Sequence, residues 1–177
     1  LGMACGLGGA TFTDILFFKF LKDFKISLWE SDVLQMFSQV IWASLALTIF
    51  SGLGLFFTDT DTYLHSSKFL AKVVIVGIII GNGAILNLYI TPKLLMIFSE
   101  KKEDAQSSRM HVLRRIAFAF GAISIVSWYS AFLLGSLRSS PIGVPALLFI
   151  YGIVIFSAVI GSQILETRFT RLRQASY

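Results

Sequence analysis

The amino-acid sequence predicts an all-α integral membrane protein, a five-transmembrane-helix bundle that forms one membrane domain over residues 1–177. Three observations predict it. The chain is 55% hydrophobic and 14% charged, with a mean hydropathy of +0.77, whereas soluble domains carry about 25% charged residues. Apolar segments long enough to cross a bilayer recur along the chain. Basic residues gather beside alternate ends of those segments, as they do in cytoplasmic loops.

Five segments reach the length of about 20 apolar residues that a transmembrane helix needs. The first lacks the basic region and spacing of a signal peptide, so we interpret it as a true span. Runs such as VVIVGIII are apolar on every face, which favours helices over strands of alternating polarity. Ser66 is a typical N-cap for the third span, and Pro92 is expected to end it. The five predicted spans cover residues 1–18, 33–57, 69–91, 112–136 and 143–165.

The distribution of Lys and Arg predicts the orientation of the bundle. Twelve of the fifteen basic residues follow spans one, three and five. The positive-inside rule places these loops in the cytoplasm, so the amino end lies outside and the carboxyl end inside. The twelve are Lys19, Lys22, Lys25, Lys93, Lys101, Lys102, Arg109, Arg114, Arg115, Arg168, Arg171 and Arg173.

Polar side chains from four spans are expected at one depth in the cytoplasmic half of the membrane. With a rise of about 1.5 Å per residue, Asp14 and Asn87 lie equally far from the inner boundary. The carboxylate should therefore face the bundle near Asn87, within hydrogen-bonding reach of Gln39 or Gln163. Such a group either clamps helices together or binds a proton, ion or ligand. The predicted intramembrane cluster is Asp14, Gln39, Asn82, Asn87 and Gln163.

A second group of charges is predicted at the outer boundary. Lys72 lies about one turn inside the third span, and its stem is long enough to carry the ammonium group to the interface. An ion pair with Asp59 or Asp61 in the preceding loop is a compatible refinement, and His65 lies beside them. A buried lysine that titrates or binds an anion is the functional alternative.

Small residues predict where helices approach closely. Gly2 and Gly6 form a GxxxG pattern in the first span, and Gly77 and Gly81 form another in the third. The third span also carries Lys72, Asn82 and Asn87 on its other side, so we expect it to be the central helix.

Several kinds of chemistry find no support in the sequence. No catalytic residues, phosphate loop or metal-ligand pattern is present, so no catalytic or metal site is predicted and any cofactor is unknown. The net charge of +5 does not indicate a nucleic-acid partner, because the basic residues sit at the ends of apolar spans. The expected partners are the lipid bilayer and other membrane subunits or a second copy.

Residues 68–87, KFLAKVVIVGIIIGNGAILN, resemble a segment of small uncharacterised bacterial multi-spanning membrane proteins similar to copper-resistance-D-type families. Lys72, Asn82, Gly83 and Leu86 match that pattern, whereas Asn87 stands where the family has a histidine. The resemblance implies a bacterial inner membrane, and the departure removes the residue most suited to binding copper or haem.

Three functions remain open from the sequence. The chain is expected first to be a non-enzymatic accessory or scaffold subunit of a larger membrane complex. The alternative is a small ion, proton or solute transporter or channel that uses the polar cluster around Asp14. A haem- or pigment-binding protein is the third, and its ligands would come from upstream residues or from a partner.

Overall fold

The computed structural model describes residues 2–23, 28–93, 106–137 and 142–174. This part of the chain contains no strand and is about 95% helical, which confirms the all-α prediction. A π-helical turn, here called the π segment, follows the fourth helix at Leu86–Ile90. The helices are α1 (Gly2–Asp23), α2 (Leu28–Thr58), α3 (Thr60–Leu64), α4 (Ser67–Ile85), α5 (Gln106–Ser136) and α6 (Val144–Gln174).

Four helical stretches of the described chain are long and apolar enough to cross a membrane. They coincide with predicted spans two to five. The first predicted span also forms a helix, α1, but it is not one of these four. The four stretches are Asp32–Thr58, Ser67–Lys93, Val112–Ser136 and Val144–Arg168.

A tight turn joins α2 to α4 through the single-turn helix α3. Ser66 caps α4 as predicted, because its hydroxyl accepts a hydrogen bond of 3.4 Å from the backbone N–H of Phe69. Asp59 caps α3 in the same way and accepts from the Thr62 N–H at 3.2 Å. Each cap satisfies a backbone donor that a helix start leaves unpaired.

The central helix is α5, which packs against α1, α4 and α6. Within the most apolar 18-residue window of each stretch, 39% of the residues are buried in Val112–Ser136, compared with 22% in Ser67–Lys93. The expectation that the third span is central is therefore wrong. Alanines on α5 allow the close approach, because Ala117 and Ala131 are completely buried.

The main core lies where α1, α4 and α6 meet α5. Ser127 and Tyr151 join α5 to α6 within this core by a hydrogen bond of 2.7 Å between their hydroxyl groups. The buried members of the core are Ala10, Leu45, Ala71, Ile75, Ile79, Trp128, Ala131, Leu134 and Tyr151.

The two GxxxG patterns have different surroundings. A Cβ on Gly2 would lie 3.1 Å from the Ser44 carbonyl oxygen of α2, and a Cβ on Gly6 would overlap the Trp128 indole of α5. The first pattern therefore lets α1 fit between its neighbours. A Cβ on Gly77 or Gly81 would meet no described atom within 4 Å. The close crossing expected at Gly77 and Gly81 is thus absent from the described part of the single chain.

Candidate functional site

Asp14 points into the bundle from the middle of α1, and only 7% of its surface is exposed. Its carboxylate faces α5 at Gly121, where an added Cβ would lie 3.5 Å from Asp14 Oδ1. A carboxylate near a helix centre costs about 2.5–3.5 kcal/mol on membrane-insertion scales. If α1 spans the membrane, as the sequence predicts, the neighbouring helices have to supply a polar surrounding for Asp14.

That surrounding is a cavity of about 610 Å³ between α1, α2, α4 and α5, here called the Asp14 cleft. Ligand pockets in proteins typically measure about 300–1,000 Å³. Asp14 is the only charged residue among the described ones that line it. The other polar residues are Thr13, Gln35, Ser38, Gln39, Asn87, Thr91 and Ser124, and the apolar ones include Leu34, Ile41, Trp42, Leu45, Ile79, Leu86 and Trp128.

The cleft opens between α2 and α4, because these two helices share no extensive contact in the described chain. One point of approach lies at Gly83 of α4, where a Cβ would be 3.8 Å from the Trp42 ring of α2. Beyond it, towards the start of α2 and the end of α4, Gln35, Gln39 and Asn87 are exposed. We call this opening, edged by three amides, the mouth of the cleft.

Three buried oxygen atoms beside the cleft have no hydrogen-bond partner among the described residues. They are Thr13 Oγ1, Asp14 Oδ2 and Asn82 Oδ1. Asn82 is 6% exposed, and its amide nitrogen donates a 3.1 Å hydrogen bond to the Phe120 carbonyl, next to Gly121. Buried polar atoms in proteins are nearly always paired. Packing among the described residues therefore does not complete the hydrogen bonding of these three oxygens.

The π segment shapes the cleft wall on α4. The backbone N–H and the hydroxyl of Thr91 both approach the Leu86 carbonyl, the hydroxyl at 2.9 Å. The wider turn lies just before Pro92, which has no N–H and whose ring disturbs a regular α-turn. As a result, Asn87 and Thr91 both line the cleft, while Ile90 packs against Phe118 in a second small core. Single π turns often occur at functional sites.

The structure brings together three of the five residues of the predicted polar cluster. Asp14, Gln39 and Asn87 line the same cleft, and Asn82 hydrogen-bonds to α5 beside it. Gln163 lies elsewhere, because its amide nitrogen donates to the Arg115 carbonyl at 3.0 Å. The sequence predicts hydrogen bonds from Asp14 to Gln39 or Gln163, either direct or through water. Among the described residues no direct bond of this kind is formed.

The group predicted at the outer boundary is divided among separate roles. Hydrogen bonds from Thr62 hold the pKa of the Asp59 carboxyl below its usual value, and His65 Nδ1 lies 2.9 Å from the Asp61 carbonyl. No ion pair links Lys72 to Asp59 or Asp61 in the described chain. Instead, Lys72 Nζ lies against Gly135, where an added Cβ would be 3.3 Å away.

Lys68, a neighbour of Lys72, donates to the Leu137 carbonyl at 2.6 Å. Lys68 and Lys72 therefore place two positive charges at the carboxyl end of α5, where the helix dipole is negative. The geometry favours a structural role for the outer charges.

Sequence reasoning missed a buried ion pair between α5 and α6. The positive-inside rule counts Arg114 with the cytoplasmic loop charges, although it falls at the start of the predicted span 112–136. It lies within α5, and its Nη2 is 2.7 Å from Glu166 Oε1. The two side chains are 5% and 2% exposed. Arg115 is 61% exposed and approaches the other Glu166 oxygen at 3.3 Å. The available signal was Glu166 itself, an acidic residue among the basic residues at the end of the last span.

The fold and the cleft define a class: an all-α protein of membrane-spanning composition with a polar cleft between its helices. No group of three His, Cys, Asp or Glu residues within the described ranges could hold a metal ion. No protein-family model, curated protein or solved structure matches the chain. The resemblance of residues 68–87 to copper-resistance-D-type proteins therefore stays a prediction.

Proposed function

We propose that this chain is a five-span membrane protein that binds a small solute in the Asp14 cleft and belongs to the transport class. The observation that carries the proposal is a buried carboxylate with one unpaired oxygen, facing a cavity large enough for a small molecule. A carboxylate that only clamped helices would be hydrogen-bonded to them. Asp14 has no such bond to a described residue, so packing does not account for its presence.

In the proposed arrangement α1 is the fifth span. It is 22 residues long, or about 33 Å at 1.5 Å per residue, which matches a hydrocarbon core of about 30 Å. Its contacts with both α2 and α5 support a position inside the bundle. With the amino end outside and the carboxyl end cytoplasmic, the mouth of the cleft opens in the inner half of a bacterial inner membrane.

An accessory subunit of a larger complex is the second candidate function. It is supported by the open face of α4 at Gly77 and Gly81, where an added Cβ would meet no described atom within 4 Å. Small residues on a lipid-facing surface permit close approach by another helix. The transport function predicts the mass of the chain with a small molecule bound, whereas the accessory function predicts the mass of a complex with other protein subunits.

Native mass spectrometry of the protein released from its own membranes tests the proposal. We expect a small-molecule adduct on the unmodified chain, and we expect Asp14→Asn to lose it because an amide cannot supply the negative charge. Asp61→Asn, which removes an exposed carboxylate far from the cleft, is the matched control and should keep the adduct. A chain without adduct that is bound to other protein subunits would contradict the transport function and favour the accessory one.

A further inference from the structure

We propose that the Asp14 cleft takes a hydrophobic organic cation, a molecule with one positive charge on an apolar body. This inference rests on the function proposed above and names the chemical class of its solute. Three features of the cleft carry it: its charge, its size and lining, and the direction in which it opens.

The described lining of the cleft carries one acidic side chain and no basic one. Among the described residues, Asp14 is the only ionisable one that lines the cleft, and no described cation pairs with the carboxylate. A desolvated carboxylate is stabilised by a positive charge or by protonation. A solute that brings its own positive charge can replace a proton there, whereas an anion would be repelled. Asp14 lines the cleft, so its carboxylate is the group that such a charge would approach.

The size and lining of the cleft require more than a bare ion. A volume of about 610 Å³ falls within the range of about 300–1,000 Å³ for pockets that hold small organic ligands. Much of the wall is apolar, and it includes the indole rings of Trp42 and Trp128. Indole is the aromatic group that attracts organic cations best. The apolar body of a hydrophobic ammonium or phosphonium ion suits the apolar side chains of this wall, and its positive charge suits the indole rings.

The mouth suits a solute that collects in the membrane. It lies between α2 and α4 and is edged by the exposed amides of Gln35, Gln39 and Asn87. The outward surface beside it is apolar, because Met36, Val40 and Leu88 are exposed. A hydrophobic cation that resides near the headgroups reaches this opening without crossing water.

Equilibrium dialysis with tetraphenylphosphonium tests the inference on the full-length protein in lipid nanodiscs, with empty nanodiscs to correct for partitioning into lipid. We expect saturable binding of one cation per chain. Triphenylphosphine oxide, which has the same rings without the charge, should bind at least tenfold more weakly. Asp14→Asn should weaken binding of the cation at least tenfold, whereas the control Asp61→Asn should leave it unchanged.

Equal binding of the charged and neutral probes, or full binding of the cation by Asp14→Asn, would overturn the inference. An Asp14-dependent adduct of another chemical class in native mass spectrometry, without tetraphenylphosphonium binding, would overturn it and leave the solute-binding function intact. Absence of both the adduct and the binding would remove the proposed function as well.

Discussion

Arg114 and Glu166 join α5 to α6 through a buried ion pair, in which Arg114 Nε and Nη2 both donate to Glu166 Oε1 at 3.0 and 2.7 Å. Two donors on one oxygen fix the guanidinium more firmly than a single contact would. The pair lies 52 residues apart in sequence and near the predicted cytoplasmic ends of both helices. It holds together α5 and α6, the last two helices of the described chain.

Glu166→Gln should destabilise the protein by about 3–5 kcal/mol, because it removes the negative charge of Glu166 from beside the buried Arg114 guanidinium. Arg115→Gln should cost at most about 1 kcal/mol, since that side chain is 61% exposed. Unfolding in mixed micelles with increasing denaturing detergent measures both. The double variant Arg114→Gln/Glu166→Gln should lose less stability than the sum of the losses in Arg114→Gln and Glu166→Gln. Losses that simply add up would contradict the pairing.

Gly6→Ala should destabilise the protein by about 1–3 kcal/mol, because the added methyl group overlaps the Trp128 indole in a filled core. Gly81→Ala is the matched change on α4 and should stay within about 1 kcal/mol of the parent, since an added Cβ meets nothing within 4 Å. The same unfolding assay compares them. Equal effects of the two substitutions would show that α1 does not pass between α2 and α5 as described.

Asp14→Leu should leave stability unchanged or raise it by up to about 1–3 kcal/mol. Burying a polar group without a hydrogen bond costs roughly that amount in proteins, and Asp14 Oδ2 has no described partner. Stability gained where function is lost is typical of a functional site. Thermal unfolding of the purified variant measures the effect, and a severely destabilised Asp14→Leu would show instead that the carboxylate is a packing clamp.

The proposed orientation predicts opposite labelling of two exposed positions in a Cys5→Ser background. Thr62→Cys, in the turn between α2 and α4, should react with an impermeant maleimide added to intact cells. Lys93→Cys, at the other end of the third span, should react only after the membrane is opened, because loops rich in Lys and Arg stay in the cytoplasm. Labelling of Lys93→Cys in intact cells would reverse the assignment.

The parts of the fold that depend on local sequence could be predicted. Length and hydropathy located the four apolar helices, and the Ser66 side chain and its position located the start of α4. The cost of a charge in hydrocarbon was enough to turn Asp14 inward. Each of these inferences needs only the residues of one segment.

The parts that depend on pairing between segments could not be predicted. A glycine pattern does not reveal its partner, so Gly2 and Gly6 could not be distinguished from Gly77 and Gly81. Pro92 indicates a disturbed helix, but not that the π segment would bring both Asn87 and Thr91 into the cleft. The Arg114–Glu166 pair was hidden because the positive-inside rule counts Arg114 as a loop charge.

Asp14 is proposed to face an open cleft that contains polar groups rather than sealed packing, and the reactivity of a cysteine within that cleft tests this most directly. Ser124 lines the cleft from α5, and Phe156 is 69% exposed on the apolar surface of α6. In a Cys5→Ser background, each is replaced by Cys and treated in membranes with aminoethyl methanethiosulfonate, which crosses bilayers. Only a thiolate reacts, and a thiolate forms in polar surroundings but not in hydrocarbon. We expect Ser124→Cys to react at least tenfold faster than Phe156→Cys, and a Ser124→Cys thiol as inert as the lipid-facing one would contradict the account.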